Sequence, residues 1–189
     1  MRYVCENCIS EEYSIIPIFI LKKWNFKKYS ISKKAKELLN NWYEKPIIHI
    51  KPNDSSLKIS SRLRQAIILK RKIHKIFDLM KCETAEKFVI ETMKEYKYLV
   101  LKQNLFCMKD LCDINDYSLI YKLQDMLRSF EEHIIINCQE CSYKGGNCVV
   151  CANNEVLYAY DIENVFFCED CKVLYHRNCG AFHPCIINK

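Results

Sequence analysis

The last quarter of the sequence contains a dense series of residue types that bind metals. In chain order the candidates are Cys138, Cys141, Cys148, Cys151, Cys168, Cys171, His176 and Cys179. A Cys-x-x-Cys turn brings two thiolates to one zinc ion at about 2.3 Å, and two such turns complete a tetrahedron. The four successive pairs therefore predict two Zn²⁺ ions, each in a closed structural site.

Four further residues leave the zinc count open. His183 and Cys185 follow the four pairs, and they could replace a ligand, contribute to a third site or simply end the chain. Cys5 and Cys8 have ligand spacing but form only half a site, so they need ligands from elsewhere or stay metal-free. We count Cys5, Cys8 and Cys185 among the candidate metal ligands, and a third zinc ion remains an open alternative.

The order of the pairs suggests how the ligands are shared. The segment Cys168-x2-Cys171-x4-His176-x2-Cys179 recurs in interleaved modules, where the first pair shares a metal with the third and the second with the fourth. By this analogy one site would hold Cys138, Cys141, Cys168 and Cys171, and the other Cys148, Cys151, His176 and Cys179. The pairing is a hypothesis.

No pattern in the sequence indicates catalysis. A catalytic zinc keeps one position open for water and usually has a nearby glutamate, as in H-E-x-x-H, and neither feature is found. We also find no Ser-His-Asp order, no phosphate-binding glycine loop and no paired catalytic carboxylates, so we expect a protein that is not an enzyme. We expect Cys82, Cys107 and Cys112, which lie in predicted helical segments, to pack as small buried apolar side chains. His49, His74 and His133 are isolated in the sequence, and we expect them to be surface or core histidines and not metal ligands.

Composition indicates a folded protein with reduced thiols. Half of the 189 residues are apolar and only three are glycine, which allows a sizeable core. The N-terminus lacks the apolar run of a signal peptide, so we expect the 13 cysteines to remain reduced in the cytosol or nucleus. The net charge of +6 is modest and the lysines are scattered, which favours a solvated face over a nucleic-acid site.

Apolar periodicity predicts a mainly α-helical scaffold over residues 1–136, followed by a cysteine-rich zinc-binding module over 137–189. The predicted fold class is therefore a helical scaffold with a C-terminal interleaved two-zinc module of the RING/FYVE/PHD-like type.

One predicted helix follows Ser32, with Ala35, Leu38, Leu39 and Trp42 on its inner side. Two longer helices are predicted from their apolar stripes. The stripe of the first consists of Ile59, Leu63, Ile67, Ile73, Ile76, Phe77 and Met80. The stripe of the second consists of Leu119, Leu123, Met126, Leu127, Phe130 and Ile134. Residues 46–50 and 97–101 are predicted to be extended.

Several of these segments together resemble the Rubicon homology domain. They are IPIFILKKWNF at residues 16–26, YSIS at 29–32, Leu105-Phe106 ahead of Asp110-Leu111, Lys144-Gly145 between the first two cysteine pairs, and the final C-x2-C-x4-H-x2-C. The likeness covers nearly the whole chain, which diverges from the family pattern at Phe19, Asn25 and Ala159-Tyr160. Relative to the family we expect the chain to be shortened at its N-terminus, which would explain the half site.

The resemblance implies an adaptor that binds a small Rab-type GTPase in its GTP form. Such an adaptor would act in autophagy or in endosome and lysosome traffic, in the cytoplasm and peripheral to the late endosome or lysosome through its partner. The resemblance also implies that Cys168, Cys171, His176 and Cys179 support the binding surface as zinc ligands. It places the contacts themselves between Phe130 and Ile136 and in the adjoining zinc loops. Which GTPase is bound and the oligomeric state are left open.

Two other functions remain as alternatives. Interleaved zinc modules also occur in RING-like ubiquitin ligases, although a RING has its histidine near the middle of the ligand series. A lipid- or histone-tail-binding zinc finger would need exposed apolar loops or an aromatic cage. Tyr158, Tyr160, Phe166 and Phe167 are cage candidates, although packing over a small zinc core is the likelier role of such aromatics.

Overall fold

The computed structural model describes residues 12–51, 60–80, 82–83, 85–93, 96–102, 104–141, 145–151, 153–168 and 170–182. Cys5, Cys8, Ile59, His183 and Cys185 lie outside these ranges. The chain forms two compact units, one from the residues up to 68 together with 101–123, and the other from 69–100 together with the residues from 124 onward. The predicted boundary near residue 136 lies inside the second unit and stays a prediction.

The first unit begins with a strand–helix–strand element. Strand β1 (Glu12–Ile15) pairs antiparallel with β2 (Lys28–Ile31), and helix α1 (Pro17–Lys23) lies between them in sequence. Pro17 is at the first turn of α1, where its missing N–H is not needed. Trp24 ends the helix in a left-handed conformation, with φ of 50° and its N–H donated to the Ile20 carbonyl at 2.7 Å.

Helix α2 (Lys33–Trp42) begins where the sequence predicts. The Ser32 hydroxyl accepts a hydrogen bond from the Ala35 N–H at 3.3 Å, which caps the helix. The predicted inner side is wrong at two positions, because Leu38 is 47% exposed and Trp42 is 42% exposed. No residue of α2 is buried. Lysines occupy the first turn of α2, and Leu38 and Trp42 follow them as exposed apolar side chains.

A short strand pair and a capped helix complete the first unit. Strand β3 (Ile48–His49), within the segment predicted to be extended, pairs antiparallel with β4 (Leu105–Phe106). Helix α6 (Met108–Asn115), numbered in chain order, follows β4. It opens with a capping box, in which Cys107 donates its N–H to Asp110 Oδ2 at 2.7 Å and accepts the Asp110 N–H on its sulfur at 3.4 Å.

In the described residues between β3 and β4 there are three α-helices. They are α3 (Ser61–Leu79), α4 (Ala85–Met93) and α5 (Lys97–Leu101). The predicted stripe of α3 is confirmed at Leu63, Ile67, Ile73 and Ile76, all of which are buried. The expectation that residues 97–101 are extended is wrong. A short apolar run does not distinguish a strand from a buried helical turn, and Leu99 and Val100 are buried side by side in α5.

Helix α7 (Ser118–Glu132) leads into a π-helical turn over His133–Asn137. Its predicted apolar face is buried at Leu119, Leu123, Met126, Phe130 and Ile134. At the end of the turn the Cys138 N–H donates to the His133 carbonyl at 3.0 Å. Among the described residues no helix is both long and apolar enough to cross a bilayer.

The C-terminal part of the second unit consists of two small hairpins. Strand β5 (Gly146–Asn147) pairs with β6 (Val156–Leu157), and β7 (Val165–Phe167) pairs with β8 (Leu174–His176). A 3₁₀ segment, Arg177–Phe182, follows β8. Gly145 has a φ of 69°, and a Cβ there would lie 2.6 Å from the Leu157 carbonyl oxygen. The turn into β5 therefore needs glycine.

The hairpins enclose a small core that includes cysteines. Its buried members are Cys148, Leu157, Ala159, Val165, Cys168, Leu174 and Tyr175. With strands of two or three residues, the hairpins bury little apolar surface, and such modules usually need a metal or a disulfide to be stable.

Lys72 on α3 forms two ion pairs with the C-terminal part of the same unit. Its ammonium lies 3.2 Å from Asp161 Oδ1 and 2.9 Å from Glu163 Oε2. Burial alone would lower the pKa of Lys72, but the hydrogen bonds to Glu163 and Asp161 outweigh it and raise that pKa. The pairs hold the loop between β6 and β7 against the helix.

We predict that Lys72→Met lowers the free energy of unfolding by about 1 kcal/mol, because it leaves the partly buried Asp161 carboxylate without its cation. Lys87→Met is the matched control, since Lys87 and Glu91 are both exposed and 3.9 Å apart. Urea unfolding of the two variants measures the difference. Equal stability of both variants would show that the Lys72 pairs do not support the unit.

Candidate metal centres

The first candidate centre brings together Cys82, His133, Cys138 and Cys141. One ligand atom from each residue lies within 4.8 Å of all the others. The Cys82 sulfur is 3.5 Å from His133 Nε2. Cys82 and Cys141 are buried, and His133 and Cys138 are half-buried. The group is therefore largely shielded from solvent.

Three structural features position these ligands. The π-helical turn closes from Cys138 to His133, so the two residues lie one wide turn apart. Cys82 lies in the connection between α3 and α4. On α4, Phe88 stacks on the His133 ring with centroids 4.4 Å apart, and it packs edge-on against Phe130 at 5.5 Å. The stack fixes the orientation of the imidazole.

The second candidate centre consists of Cys148, Cys151, His176 and Cys179, whose ligand atoms also lie within 4.8 Å of one another. His176 Nδ1 is 3.3 Å from the Cys151 sulfur and 3.9 Å from the Cys179 sulfur. Cys148 follows β5, His176 ends β8 and Cys179 lies in the 3₁₀ segment. The centre thus joins the two hairpins.

A carboxylate and several backbone groups support the second centre. His176 Nε2 lies 3.4 Å from Glu155 Oε2, which leaves Nδ1 directed at the sulfurs. Hydrogen bonding to Cys148, and then to Glu155, raises the pKa of His176. Burial would raise the pKa of Cys148, but the backbone N–H groups of Cys151, His176 and Val150 lower it to about 6. Burial and the neighbouring thiols raise the pKa of Cys179 to about 11.

Both groups fit zinc in donor type and spacing. Each offers three sulfurs and one imidazole nitrogen, a common ligand set of closed structural zinc sites. Around a tetrahedral zinc with bonds of about 2.0–2.3 Å, sulfur and nitrogen ligands lie roughly 3.5 Å apart. The measured S···N separations of 3.3–3.9 Å are close to that value. None of the ten described cysteines is in a disulfide.

The structure places the predicted ligands in a different grouping from the interleaved one. Cys148, Cys151, His176 and Cys179 lie together, but Cys138 and Cys141 lie with Cys82 and His133. Cys168 and Cys171 belong to neither group of the described residues. They form the turn between β7 and β8, with Cys168 buried and Cys171 exposed. The interleaved module is not confirmed, and the role of every candidate as a zinc ligand remains a prediction.

Comparison with known proteins identifies the family. The sequence profile of the Rubicon Homology Domain matches residues 1–187. The chain belongs to the Rubicon homology domain family. The resemblance that the sequence motifs indicated is therefore confirmed.

Relatives of this Rubicon homology domain are much longer proteins. Human pleckstrin homology domain-containing family M member 3 is 29% identical over 94% of the chain, which covers 24% of that protein. Human protein associated with UVRAG as autophagy enhancer is 28% identical over 97% of the chain and 28% of its own length. Mouse Run domain Beclin-1-interacting and cysteine-rich domain-containing protein is 26% identical over 97% of the chain and 20% of its own length. The chain spans about a quarter of the length of these relatives.

Sequence reasoning missed Cys82 and His133 as members of a candidate metal centre of this Rubicon homology domain. A local signal existed for His133, since it precedes Cys138 by five residues, the same separation as Cys171 and His176. No local signal existed for Cys82, which lies 51 residues before His133. Its place in the group depends on how α4 packs against the end of α7.

The aromatic cage candidates pack instead of forming an open pocket. Tyr158 and Tyr160 stack at 5.4 Å, and Phe166 stacks on Tyr175 at 5.2 Å. Tyr160 and Tyr175 are buried, whereas Phe166 is 43% exposed, with the Arg177 guanidinium 5.9 Å from its ring centroid. A cage needs several exposed ring faces around one cation, and Phe166 is the one candidate of the four that is exposed.

We predict that Cys82→Ser lowers the zinc content of the purified protein by one ion per chain, because the first centre loses one of three thiolates. Cys112→Ser is the matched control, since Cys112 is half-buried and lies outside both groups. Metal analysis after dialysis measures the difference. Full zinc content in the Cys82→Ser variant would show that Cys82 is not a ligand of the first centre.

The second centre should bind zinc more weakly as pH falls. At neutral pH the lowered pKa keeps Cys148 a thiolate, while the raised pKa keeps Cys179 protonated, so zinc must displace at least that proton. We expect the affinity to fall at least tenfold per pH unit near neutrality, and more steeply at lower pH, where His176, with its raised pKa, and then Cys148 near pH 6 also take up protons. Competition with a chromophoric chelator in the Cys82→Ser variant measures this. An affinity that is constant between pH 6 and 8 would contradict the assignment.

Proposed function

We propose that this chain is a zinc-stabilised adaptor domain that binds a Rab-type GTPase in its GTP form and acts in autophagy or endosome–lysosome traffic. The proposal rests on family membership together with one surface feature of the second unit. That feature is the π-helical turn His133–Asn137, which exposes two isoleucines between candidate metal ligands.

The turn presents an unusual pair of apolar side chains. Ile135 is 38% exposed and Ile136 is 76% exposed, although both follow a helix whose inner face is well buried. An isoleucine exposed to this degree contributes little to folding and gains free energy when a partner covers it. Candidate metal ligands lie at both ends of the turn, with His133 at its start and Cys138 and Cys141 after its end. A bound zinc would make this apolar surface rigid before the partner arrives.

This surface would explain how the adaptor selects the GTP form. The switch segments of a GTPase are ordered by contacts to the γ-phosphate and its Mg²⁺, and they are released on hydrolysis. A preformed apolar surface of limited size binds an ordered switch region more strongly than a flexible one, because the partner loses less conformational entropy. The isoleucine pair is therefore suited to a partner whose surface depends on its nucleotide.

The names of the relatives support the biological setting. One is named as an autophagy enhancer associated with UVRAG, and another as a Beclin-1-interacting protein. Both names describe association with other proteins and not a chemical reaction. We infer the same kind of role for this chain, without enzymatic activity. The GTPase would bring it to the cytoplasmic surface of late endosomes or lysosomes.

Zinc has a structural role in this proposal. Binding of structural zinc contributes on the order of 10 kcal/mol to the folding of small zinc modules. The hairpins of the second unit are short enough to need such a contribution. The RING-like alternative gains no support from the two groups, because a RING depends on interleaved ligand pairs.

We predict that the protein retains its Rab-type partner when that GTPase is loaded with a GTP analogue, and not with GDP. Ile136→Asp should weaken retention at least tenfold, because it buries a charge in an apolar contact. Ile90→Asp is the matched control, since Ile90 is an isoleucine of α4 with 42% exposure. Pull-downs with zinc-quantified protein against a panel of late-endosomal Rab GTPases measure retention.

Two results would contradict the proposal. One is the absence of GTP-dependent retention by any member of the panel, despite full zinc content. The other is equal weakening by Ile136→Asp and Ile90→Asp, which would show that the turn is not the contact surface.

A further inference from the structure

The net positive charge of the chain comes from one segment. Between positions 12 and 51 there are nine lysines and only three acidic residues, a net charge of +6. The net charge of the whole chain is also +6, so the remaining residues carry equal numbers of basic and acidic side chains. This segment contains β1, α1, β2, α2 and β3 of the first unit.

The lysines of this segment are not neutralised locally. Eight of the nine are exposed, namely Lys22, Lys23, Lys27, Lys28, Lys33, Lys34, Lys45 and Lys51. The ninth, Lys36, donates to the Tyr13 carbonyl at 2.7 Å. Within the described ranges, none of the nine forms a salt bridge. The segment therefore keeps a positive field that attracts an extended anionic surface.

Helix α2 combines this charge with exposed apolar side chains. Lys34, Leu38 and Trp42 are spaced four residues apart, so they lie along one face of the helix, and all three are exposed. Together with the absence of any buried residue in α2, this arrangement leaves an amphipathic face without a partner in the first unit. Lysines beside leucine and tryptophan are typical of helices that lie in a membrane interface.

A cleft beside α2 is also lined by lysines together with apolar and aromatic side chains. Its volume is about 260 Å³, and its lining includes Tyr13, Lys28, Lys36, Leu39 and Tyr43. Tyr13 is 56% exposed and Tyr43 is 40% exposed. Tyrosine and tryptophan favour the headgroup level of a bilayer, where the ring is buried and the polar atom stays hydrated. Lys36 and Leu39 lie on the opposite side of α2 from Lys34, Leu38 and Trp42, so the cleft is not part of that exposed face.

We propose that the face of α2 formed by Lys34, Leu38 and Trp42 binds the anionic surface of a lipid membrane directly. Lysines would contact the headgroups, while Leu38 and Trp42 would enter the interfacial region. This binding needs no GTPase and uses different residues from the proposed GTPase contact. It can therefore succeed or fail independently of the proposed function.

The composition of the segment favours lipid over nucleic acid. All nine of its basic residues are lysines and none is arginine. Nucleic-acid sites rely strongly on arginine, whose planar guanidinium binds phosphates and guanine with two hydrogen bonds. Exposed aliphatic side chains such as Leu38 and Ile47 also have no role against a phosphate backbone, whereas they gain free energy in a bilayer interface.

The test is sedimentation of the zinc-loaded full chain with vesicles of phosphatidylcholine alone or with added phosphatidylserine. We expect binding only to the anionic vesicles, with an affinity that falls as salt is raised. Each lysine near such a surface strengthens binding by about fivefold, so the double variant Lys33→Gln, Lys34→Gln should bind roughly 25-fold more weakly. Trp42→Ala should weaken binding severalfold in both low and high salt, because its contribution is apolar.

The matched control is the double variant Lys87→Gln, Lys102→Gln, which removes the same charge from exposed positions outside the segment. It should bind anionic vesicles nearly as well as the unchanged protein. Circular dichroism and zinc content confirm that every variant is folded, which is expected because each substitution is at an exposed residue.

Several outcomes would overturn the proposal. They are no binding to either vesicle, equal binding to both, and equal losses in the two double lysine variants. Preferential binding of duplex DNA or RNA that depends on Lys33 and Lys34 would assign the face to nucleic acid instead. Dimerisation in solution that Trp42→Ala abolishes, without vesicle binding, would assign it to a second copy of the chain.

Discussion

Two groups of three cysteines and one histidine determine how the second unit can be stable. Its hairpins have strands of two or three residues and a core that includes Cys148 and Cys168 themselves, so burial of apolar surface supplies little stability. Each of the two ligand groups connects segments that are separate in the sequence. One joins the two hairpins, and the other joins the α3–α4 connection to the end of α7. Metal binding at these two places would convert short, weakly packed segments into a defined surface.

The first group links stability to the proposed contact surface. His133 and Cys138 are the two ends of a π-helical turn, and single π-turns within helices are frequently found at functional sites. Between these ends the chain exposes Ile135 and Ile136. Under the proposed function, loss of metal would weaken partner binding because the turn would no longer be held at both ends. Phe88 adds to this by fixing the imidazole ring from the side of α4.

Local patterns in the sequence predicted much of the fold. The Ser32 cap, the α3 stripe and the inner face of α7 each depend on neighbours within one or two turns, and the structure confirms them. The family was also evident from motifs. The grouping of ligands was not, because Cys82 reaches its group through tertiary packing. The exposure of Leu38 and Trp42 was missed for a related reason. Periodicity shows that a helix has an apolar face, but it does not show what covers that face.

The most direct test of the account is the connectivity of the first centre, measured by ¹H–¹¹³Cd correlation NMR on cadmium-substituted protein. Through-bond coupling identifies which cysteines bind each metal ion. The account predicts one cadmium that couples to the β-protons of Cys82, Cys138 and Cys141. A cadmium that couples to Cys138 and Cys141 together with Cys168 and Cys171 would restore the interleaved arrangement and contradict the account.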